Sequence, residues 1–543
     1  MNKKISLLDC TLRDGAYIVD SKFGKPAIRG IISRMQDANV DIIECGWLKN
    51  NKYEEGTTFY HIPSDLEQYL TNKNEKMQYV AMIDWDRYDL STLPEYDGKS
   101  IDAIRVVFPH GKCREGIALA KIIREKGYSV YFQAANTLAY TEPDLQELAD
   151  EINRVKPVAI SVVDTFGAMY PEDLERIVRS LDAKLDKDIK IGFHSHNNQQ
   201  LSFALSMHFI EMFKDSERSI IVDASLCGMG RGAGNTTTEL LVSYLNKKCN
   251  GNYDLNIIMD AIDMYMSEFL KNFTWGYSTP YFISGLYCAH VNNIAYLQRN
   301  HHANAMEIKN VIDALPSAKR KVYDYDLLEQ TYLDYESKVV NDTDALTLLK
   351  EKLKGKPVLL IFPGKSTTQN KDKIISYINE KSPVIIGINA INKAYNFDFL
   401  FFSNIMRYDY ANEVYPKTFF ATKRIITSNV KIENLENEYI VNFNMLVKRG
   451  WDHFDNSGMM CLRLLNLLRV KNVALAGFDG FNEEYSESYA DTSLPPISPG
   501  KEWSELNAEI SDMLRDFKAT TANDMILEFI TPSKYDIDEV SNL

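Results

Sequence analysis

Over roughly the first 245 residues, eight short apolar runs alternate with helix-like amphipathic stretches, and this alternation limits the fold more than any other feature. The runs are Ile5 to Leu12, Val40 to Cys45, Gln78 to Ile83, Ala103 to Phe108, Ser129 to Ala134, Ala159 to Val163, Ile189 to Phe193 and Ser219 to Val222. Each reads as a parallel strand covered on both faces. Eight β–α units are the count of a closed (β/α)₈ barrel, with a doubly wound open sheet as the competing architecture. Polar or special residues follow nearly every run: Arg13 and Asp14, Glu44, Asp84, His110, Gln133 and Asn136, Asp164 and Thr165, His194 and His196, and Asp223. A barrel gathers such residues into a ring at one end, whereas an open sheet spreads them along a crevice.

Gly192-Phe193-His194-Ser195-His196-Asn197 closes the seventh run. Residues two apart on a strand point to the same side, so the two imidazoles can share one divalent cation. The alternative is one packed and one solvated histidine. At the amino terminus, Asp9-Cys10-Thr11-Leu12-Arg13-Asp14-Gly15 ends a run in a cation, a carboxylate and a glycine. Strict alternation would send Arg13 and Asp14 to opposite faces, so the chain is expected to leave strand geometry there, with Gly15 permitting the turn. A surface salt bridge is the alternative, and a turn cap is the alternative for Glu44. Gly228-Met229-Gly230-Arg231-Gly232-Ala233-Gly234-Asn235 forms a tight loop before a helix expected near Thr236, with Asn235 or Thr236 as its N-cap. A loop of this kind at a helix N-terminus also suits the acid group of a substrate.

Taken together, these four motifs resemble the DRE-TIM metallolyase superfamily of HMG-CoA lyase-like enzymes, and within it the 4-hydroxy-2-oxovalerate aldolase branch. The resemblance covers the first half of the chain. It implies a TIM barrel that holds Mn²⁺ or Mg²⁺ on Asp14, His194 and His196, with Asn235 as a further ligand. It also implies that Arg13 steadies an enolate oxygen while Glu44 pairs with the arginine. The implied activity makes or breaks a carbon–carbon bond next to a 2-oxo acid carbonyl, with 2-oxo acid and aldehyde substrates. Such chemistry passes through an enolate, whose oxygen needs fixed positive charge nearby. Two nitrogens and a carboxylate suit Mn²⁺ slightly better than Mg²⁺.

In that aldolase branch, the residue two after the glycine of the first motif is a histidine acting as acid–base catalyst; here it is Tyr17. A tyrosine of ordinary pKa is a poor base near neutrality, unless a neighbouring metal or arginine lowers it. His110, after the fourth run, is the other candidate to move the proton, against a reading as a surface loop residue. The rivals are an acyl-CoA-dependent Claisen-type synthase, a binding protein whose barrel has lost its chemistry, and a glycosyl transfer in the second half. The cysteine-bearing glycine loop of the acyl-CoA lyase branch is not apparent, and Cys227 reads as a small buried residue.

A net charge of −14 argues against general affinity for nucleic acid or anionic membrane. Seven scattered cysteines without C-x-x-C spacing suggest reduced thiols and a cytoplasmic location. The amino terminus mimics a signal peptide until Asp9 and Arg13 interrupt it, and no segment is long enough to span a bilayer.

Three regions are expected: a metal-dependent aldolase or lyase barrel over 1–250, a helical extension over 251–340, and a Rossmann-like α/β domain over 356–543. The extension is similar to the segment that covers the barrel mouth in the aldolase branch and contacts a partner dehydrogenase. Tyr281, Tyr287 or His290 would reach the substrate from it, or its aromatic stripe is core or the interface of a homo-oligomer. His301 and His302 read as solvated. In the last region, Gly364-Lys365-Ser366 lacks the earlier glycine of a P-loop, Leu359 standing in its place, so an ATPase is rejected. Lys356 to Thr367 is expected to begin that region as strand, tight turn and helix, with further strands at Pro383 to Ile388, Phe397 to Phe402, Thr418 to Ala421, Tyr439 to Val441 and Val473 to Ala476. The pattern from Asn456 to Gly480 resembles the nucleotide-sugar site of bacterial sialyltransferase-like proteins. Ser457 and Gly458 at a helix N-terminus would then hold a phosphate of a nucleotide or nucleotide sugar, and Asp479 its hydroxyls. A plain N-cap and a turn residue are the alternatives. Such a fusion would suit the making of an unusual surface sugar.

Overall fold

The apolar runs of the first half do close into a ring. A computed structural model describes residues 4–301, 303–336, 339–430, 437–482, 488–494, 502–521 and 525–536. The chain divides into two units, Met1–Val291 and Asn292–Leu543. In the first, the strands are β1 (Ile5–Asp9), β2 (Ile42–Leu48), β3 (Phe59–Tyr60), β4 (Gln78–Asp84), β5 (Ala103–Phe108), β6 (Ser129–Ala134), β7 (Ala159–Asp164), β8 (Lys190–Ser195) and β9 (Ile220–Ala224). Their order is β1-β9-β8-β7-β6-β5-β4-β2-β3, and an additional β1–β2 pairing closes the barrel, leaving the short β3 outside it. All pairings are parallel. The competing open sheet is thereby excluded.

Period-two alternation explains where the site lies. Leu8, Ile42, Val80, Ala103, Tyr131, Ala159 and Ile221 form one apolar cluster, contributed by seven different strands. Only the inside of the ring lets so many strands share one cluster. Two residues further along the same strands point the same way, and there stand Cys10, Glu44, Met82, Arg105, Gln133, Ser161 and Asp223, with His194 on β8. The barrel is therefore apolar in its lower layer and charged in the layer toward the carboxyl ends. The outer strand faces pack against the helices in a separate, larger core.

The second unit is a seven-stranded parallel sheet: β10 (Val358–Ile361), β11 (Val384–Ile388), β12 (Phe399–Phe402), β13 (Lys423–Thr427), β14 (Glu438–Val441), β15 (Asn472–Ala476) and β16 (Ile526–Phe529). The order is β14-β13-β12-β11-β10-β15-β16. Val358 and Leu360 join one core, Leu359 and Ile361 another, so both faces are covered. Two expectations are corrected here. Thr418 to Ala421 is not a strand but the end of the helix Pro416–Ala421, which Pro416 starts with its fixed φ; the strand is the next segment, β13. The edge strand β16 had no expected counterpart.

The helical stretch after the barrel divides, with the helices through Thr279–Leu286 in the first unit and those from Ala305–Ala314 onward in the second. His301 is buried rather than solvated: its ring stacks on Tyr332 at 3.9 Å and its Nε2 lies 2.7 Å from Glu329. His302 lies outside the described residues. Among the described residues no helix is long and apolar enough to cross a membrane.

Candidate metal centre

β1 stops at Asp9, and Thr11–Asp14 form one helical turn that carries Arg13 and Asp14 into the barrel mouth together. Gly15 is not needed for a left-handed turn, since its φ is −62°. It is needed for space: a Cβ there would lie 2.9 Å from Met229 Sδ and 3.0 Å from Phe23 Cζ. Asp9 is turned away from the mouth, accepting from Thr11 N and Thr238 Oγ1, and burial pushes its pKa up to about 6.

Asp14, His194 and His196 present ligand atoms that all lie within 4.8 Å of one another, and all three residues are buried. Asp14 Oδ2 and His196 Nδ1, 3.9 Å apart, each lack a hydrogen-bond partner, as does Asn235 Oδ1. The Asn235 amide is oriented by its Nδ2, which donates to Met229 O (3.3 Å) and Ser225 Oγ (3.4 Å). A β-bridge between His196 and Asn235 brings the two segments together. Gly230 closes the space above: a Cβ there would stand 2.7 Å from Asp14 Oδ2 and 2.3 Å from Asn235 Nδ2. Buried polar atoms are rarely left unpaired, so this convergence of unmet acceptors fits a divalent cation.

The protonation states agree. Burial alone would raise the Asp14 carboxyl, but Arg13, His196 and His194 outweigh it and hold its pKa well below the usual range. Burial lowers His196 to about 4 against the pull of Asp14, so the ring is neutral and able to ligate at pH 7. Desolvation keeps the buried Cys10 thiol protonated.

Behind the ligands runs a chain of buried ion pairs. Arg13 Nε meets Glu44 Oε2 at 2.6 Å, and its NH1 meets Asp14 Oδ1 at 2.5 Å. Glu44 Oε1 meets Arg105 NH1 at 2.9 Å, and Arg105 NH2 meets Asp223 Oδ2 at 2.7 Å. That same Asp223 oxygen stands 3.1 Å from His194 Nδ1, fixing the ring as carboxylate partners of metal-binding histidines do. Gln133 lies beside Arg105 in the same layer. Arg105, only 1% exposed, was not singled out in the sequence, because it sits inside an apolar strand run; Asp223 was noted only as a polar residue after the last run. The signal for Arg105 was its parity, two residues beyond the inward-facing Ala103. Three carboxylates, Asp14, Glu44 and Asp223, face two guanidiniums, leaving one negative charge for a cation to match.

The remaining sequence candidates divide. Tyr17 stands at the mouth, its ring edge-on to Trp47 (6.2 Å) and 5.3 Å from the Arg231 guanidinium. Although the residue is 47% exposed, desolvation around its hydroxyl pushes the pKa up to about 12, against the opposing pull of Arg231. His290 meets the same arginine, and burial together with that charge lowers its pKa to about 3. His110 is instead engaged at the surface, with Asp144 at 3.1 Å and Tyr140 at 4.6 Å between ring centres. The glycine loop takes left-handed backbone at Gly228, Gly232 and Gly234. Its helix begins at Thr238, and the N-cap is Thr237 rather than Asn235 or Thr236. Cys227 is half-buried. In the second unit, Ser457, Gly458 and Asp479 line one pocket.

Comparison with known proteins agrees with this geometry. Residues 112–264, which hold both histidines, Asp223 and Asn235, match the HMGL-like family model. The chain is 27% identical over 278 residues to a 4-hydroxy-2-oxovalerate aldolase of Thermomicrobium roseum, covering 48% of this chain and 72% of that one. It is 28% identical over 264 residues to an oxaloacetate decarboxylase of Mycobacterium tuberculosis, covering 47% and 74%. A solved domain from Bacteroides vulgatus, provisionally called an aldolase, is 27% identical with a TM-score of 0.47, covering 53% of this chain and 95% of that one.

Proposed function

We propose that the barrel generates the enolate of a 2-oxo acid, using a divalent cation held by Asp14, His194 and His196 with Asn235 as a fourth ligand. The observation that carries this reading is the set of unmet buried acceptors, Asp14 Oδ2, His196 Nδ1 and Asn235 Oδ1, beside a guanidinium that is fixed in place. The cation, Mn²⁺ or Mg²⁺, supplies Lewis acidity and a template for the 2-oxo acid. Arg13 is clamped through Nε and NH1, and its NH2 donates to the developing enolate oxygen. Glu44 and Arg105 hold that guanidinium in place, so little reorganisation accompanies the charge change.

Tyr17 refines the reaction class. With a pKa near 12 it gives a proton at pH 7 and does not take one. An aldol cleavage needs a base to remove the alcohol proton. Decarboxylation of a 2-oxo diacid needs none: the bond to the carboxylate breaks, its electron pair passes into the carbonyl as enolate, carbon dioxide leaves, and a donor protonates the carbon. Tyr17 in this role favours decarboxylation as the second reading, with aldol chemistry requiring another base.

Two assays of the full chain, stripped of metal and then given Mn²⁺, separate these readings: α-proton exchange of pyruvate in deuterated water, and decarboxylation of oxaloacetate. Either activity, restored by Mn²⁺ in the parent and not in His196→Ala, supports the enolate. Decarboxylation without exchange, weakened by Tyr17→Phe, supports the second reading. Neither activity in Mn²⁺-loaded protein would overturn the 2-oxo acid assignment.

A further inference from the structure

The second unit has a cleft where its topology calls for one. β10 connects outward to β11, while β15 lies on its other side, so the strand order reverses between β10 and β15. In open parallel sheets, ligands bind beyond the carboxyl ends of the strands at such a reversal. A pocket lies there, walled by 362–364 after β10, 477–481 after β15, Asn389 after β11 and the start of the helix Ser457–Leu467.

Its unmet groups are donors. Arg407 lines the pocket at 6% exposure, and its NH1 has no hydrogen-bond partner; among the described residues no carboxylate pairs with it. Its guanidinium lies 5.4 Å from the Tyr489 ring centre. A buried guanidinium keeps its charge and is costly without a counter-ion. Ser457 Oγ accepts from Asn389 Nδ2 and from Ser403 Oγ (2.7 Å). With both lone pairs used, its own O–H must donate elsewhere. The first-turn N–H groups of a helix have no intrahelical acceptors, and the Asn456 side chain caps only that of Met459 (3.1 Å). Gly458 lets the chain approach closely, because a Cβ there would stand 2.7 Å from Phe362 Cε1.

The other wall differs. Asp479 accepts from Ser366 N (2.7 Å) and Ser366 Oγ, which leaves lone pairs for a ligand hydroxyl. Phe362 and Phe478 stack at 4.4 Å and give the pocket a flat apolar side. We propose that this pocket binds a phosphate ester of a polyol, either a sugar phosphate or a nucleotide. Its phosphate sits on Arg407, the Ser457 hydroxyl and the N-terminus of the helix Ser457–Leu467, and a hydroxyl on Asp479. The reading is independent of the barrel chemistry.

The test is titration calorimetry of the full chain with inorganic phosphate, ribose 5-phosphate and uridine 5′-monophosphate. The parent is compared with Arg407→Gln, Ser457→Ala and Asp479→Asn. Far-UV circular dichroism and Mn²⁺ uptake check that each variant is folded. The esters are expected to bind more tightly than inorganic phosphate. Arg407→Gln should weaken them at least about tenfold, and Ser457→Ala by less. Asp479→Asn should weaken the esters without weakening inorganic phosphate. Equal binding of the two esters identifies a sugar phosphate site; tighter uridine 5′-monophosphate shows that the aromatic wall reads a base. No binding of any probe by the parent, or unchanged ester binding in folded Arg407→Gln, overturns the proposal.

Discussion

The two units bury charge in opposite ways. In the barrel, both guanidiniums are matched: Arg13 by Glu44 and Asp14, Arg105 by Glu44 and Asp223. At the mouth, the atoms left without a hydrogen-bond partner that converge on one point are Asp14 Oδ2, His196 Nδ1 and Asn235 Oδ1. In the second unit, Arg407 has no carboxylate partner among the described residues, and the groups left around it are N–H and O–H donors. Converging acceptors suit a cation, and converging donors suit an anion. The same test, which buried atoms lack partners, therefore points to opposite ligands in the two halves of one chain.

The comparison is broken most strongly at Arg105. Replacing it with methionine leaves Glu44 and Asp223 buried with one counter-ion fewer, and should destabilise the metal-free barrel by about 3–5 kcal/mol in urea denaturation. A loss below about 1 kcal/mol would mean the ion-pair chain is not buried as described.

The pH dependence of stability comes next. Burial holds the folded His196 near a pKa of 4, below the ordinary histidine value of about 6.5, so the unfolded chain binds the proton first as pH falls. Between pH 6.5 and 4 this costs the metal-free fold up to about 3 kcal/mol. Asp9 and Asp164, raised to about 6 by burial, act in the opposite direction over part of that range. The measurement is thus the difference between the parent and His196→Asn. The parent should lose stability more steeply on acidification, whereas parallel curves would refute the assignment.

Asp223→Asn tests positioning rather than ligation. It keeps the shape beside His194 Nδ1 but removes the charge, and should weaken Mn²⁺ binding about 10- to 100-fold. Unchanged affinity would show that Asp223 serves only Arg105. The smallest effect on stability is expected at Arg407→Gln, which breaks no ion pair among the described residues and should shift stability by less than about 1 kcal/mol. A loss as large as that at Arg105 would reveal a structural role for this arginine.

The barrel was legible because buried parallel strands leave uninterrupted apolar runs, and the two histidines because period two puts them on one side. Arg105 was hidden by the same rule: within Ala103–Phe108 it looks like an interruption of a core strand, until parity is counted from the inward layer. His301 was misread from its polar neighbours, since the groups that bury it, Glu329 and Tyr332, come from a helix about thirty residues later. Short segments near helix signals failed for local reasons. Phe419 and Phe420 suggest a strand, but Pro416 starts a helix, and Ile526–Phe529 is a half-exposed edge with little burial to mark it. Arg407 carried no sequence signal, because its significance lies in having no carboxylate partner among the described residues.

The most direct test of the barrel account is a Mn²⁺ titration of the metal-stripped full chain, followed by electron paramagnetic resonance, in the parent and in His196→Ala. The account predicts one tightly held Mn²⁺ per parent chain, with a spectrum unlike that of the free ion, and loss of that site in the variant. Absence of a tight site in the parent, or an equally tight site in His196→Ala, would contradict it.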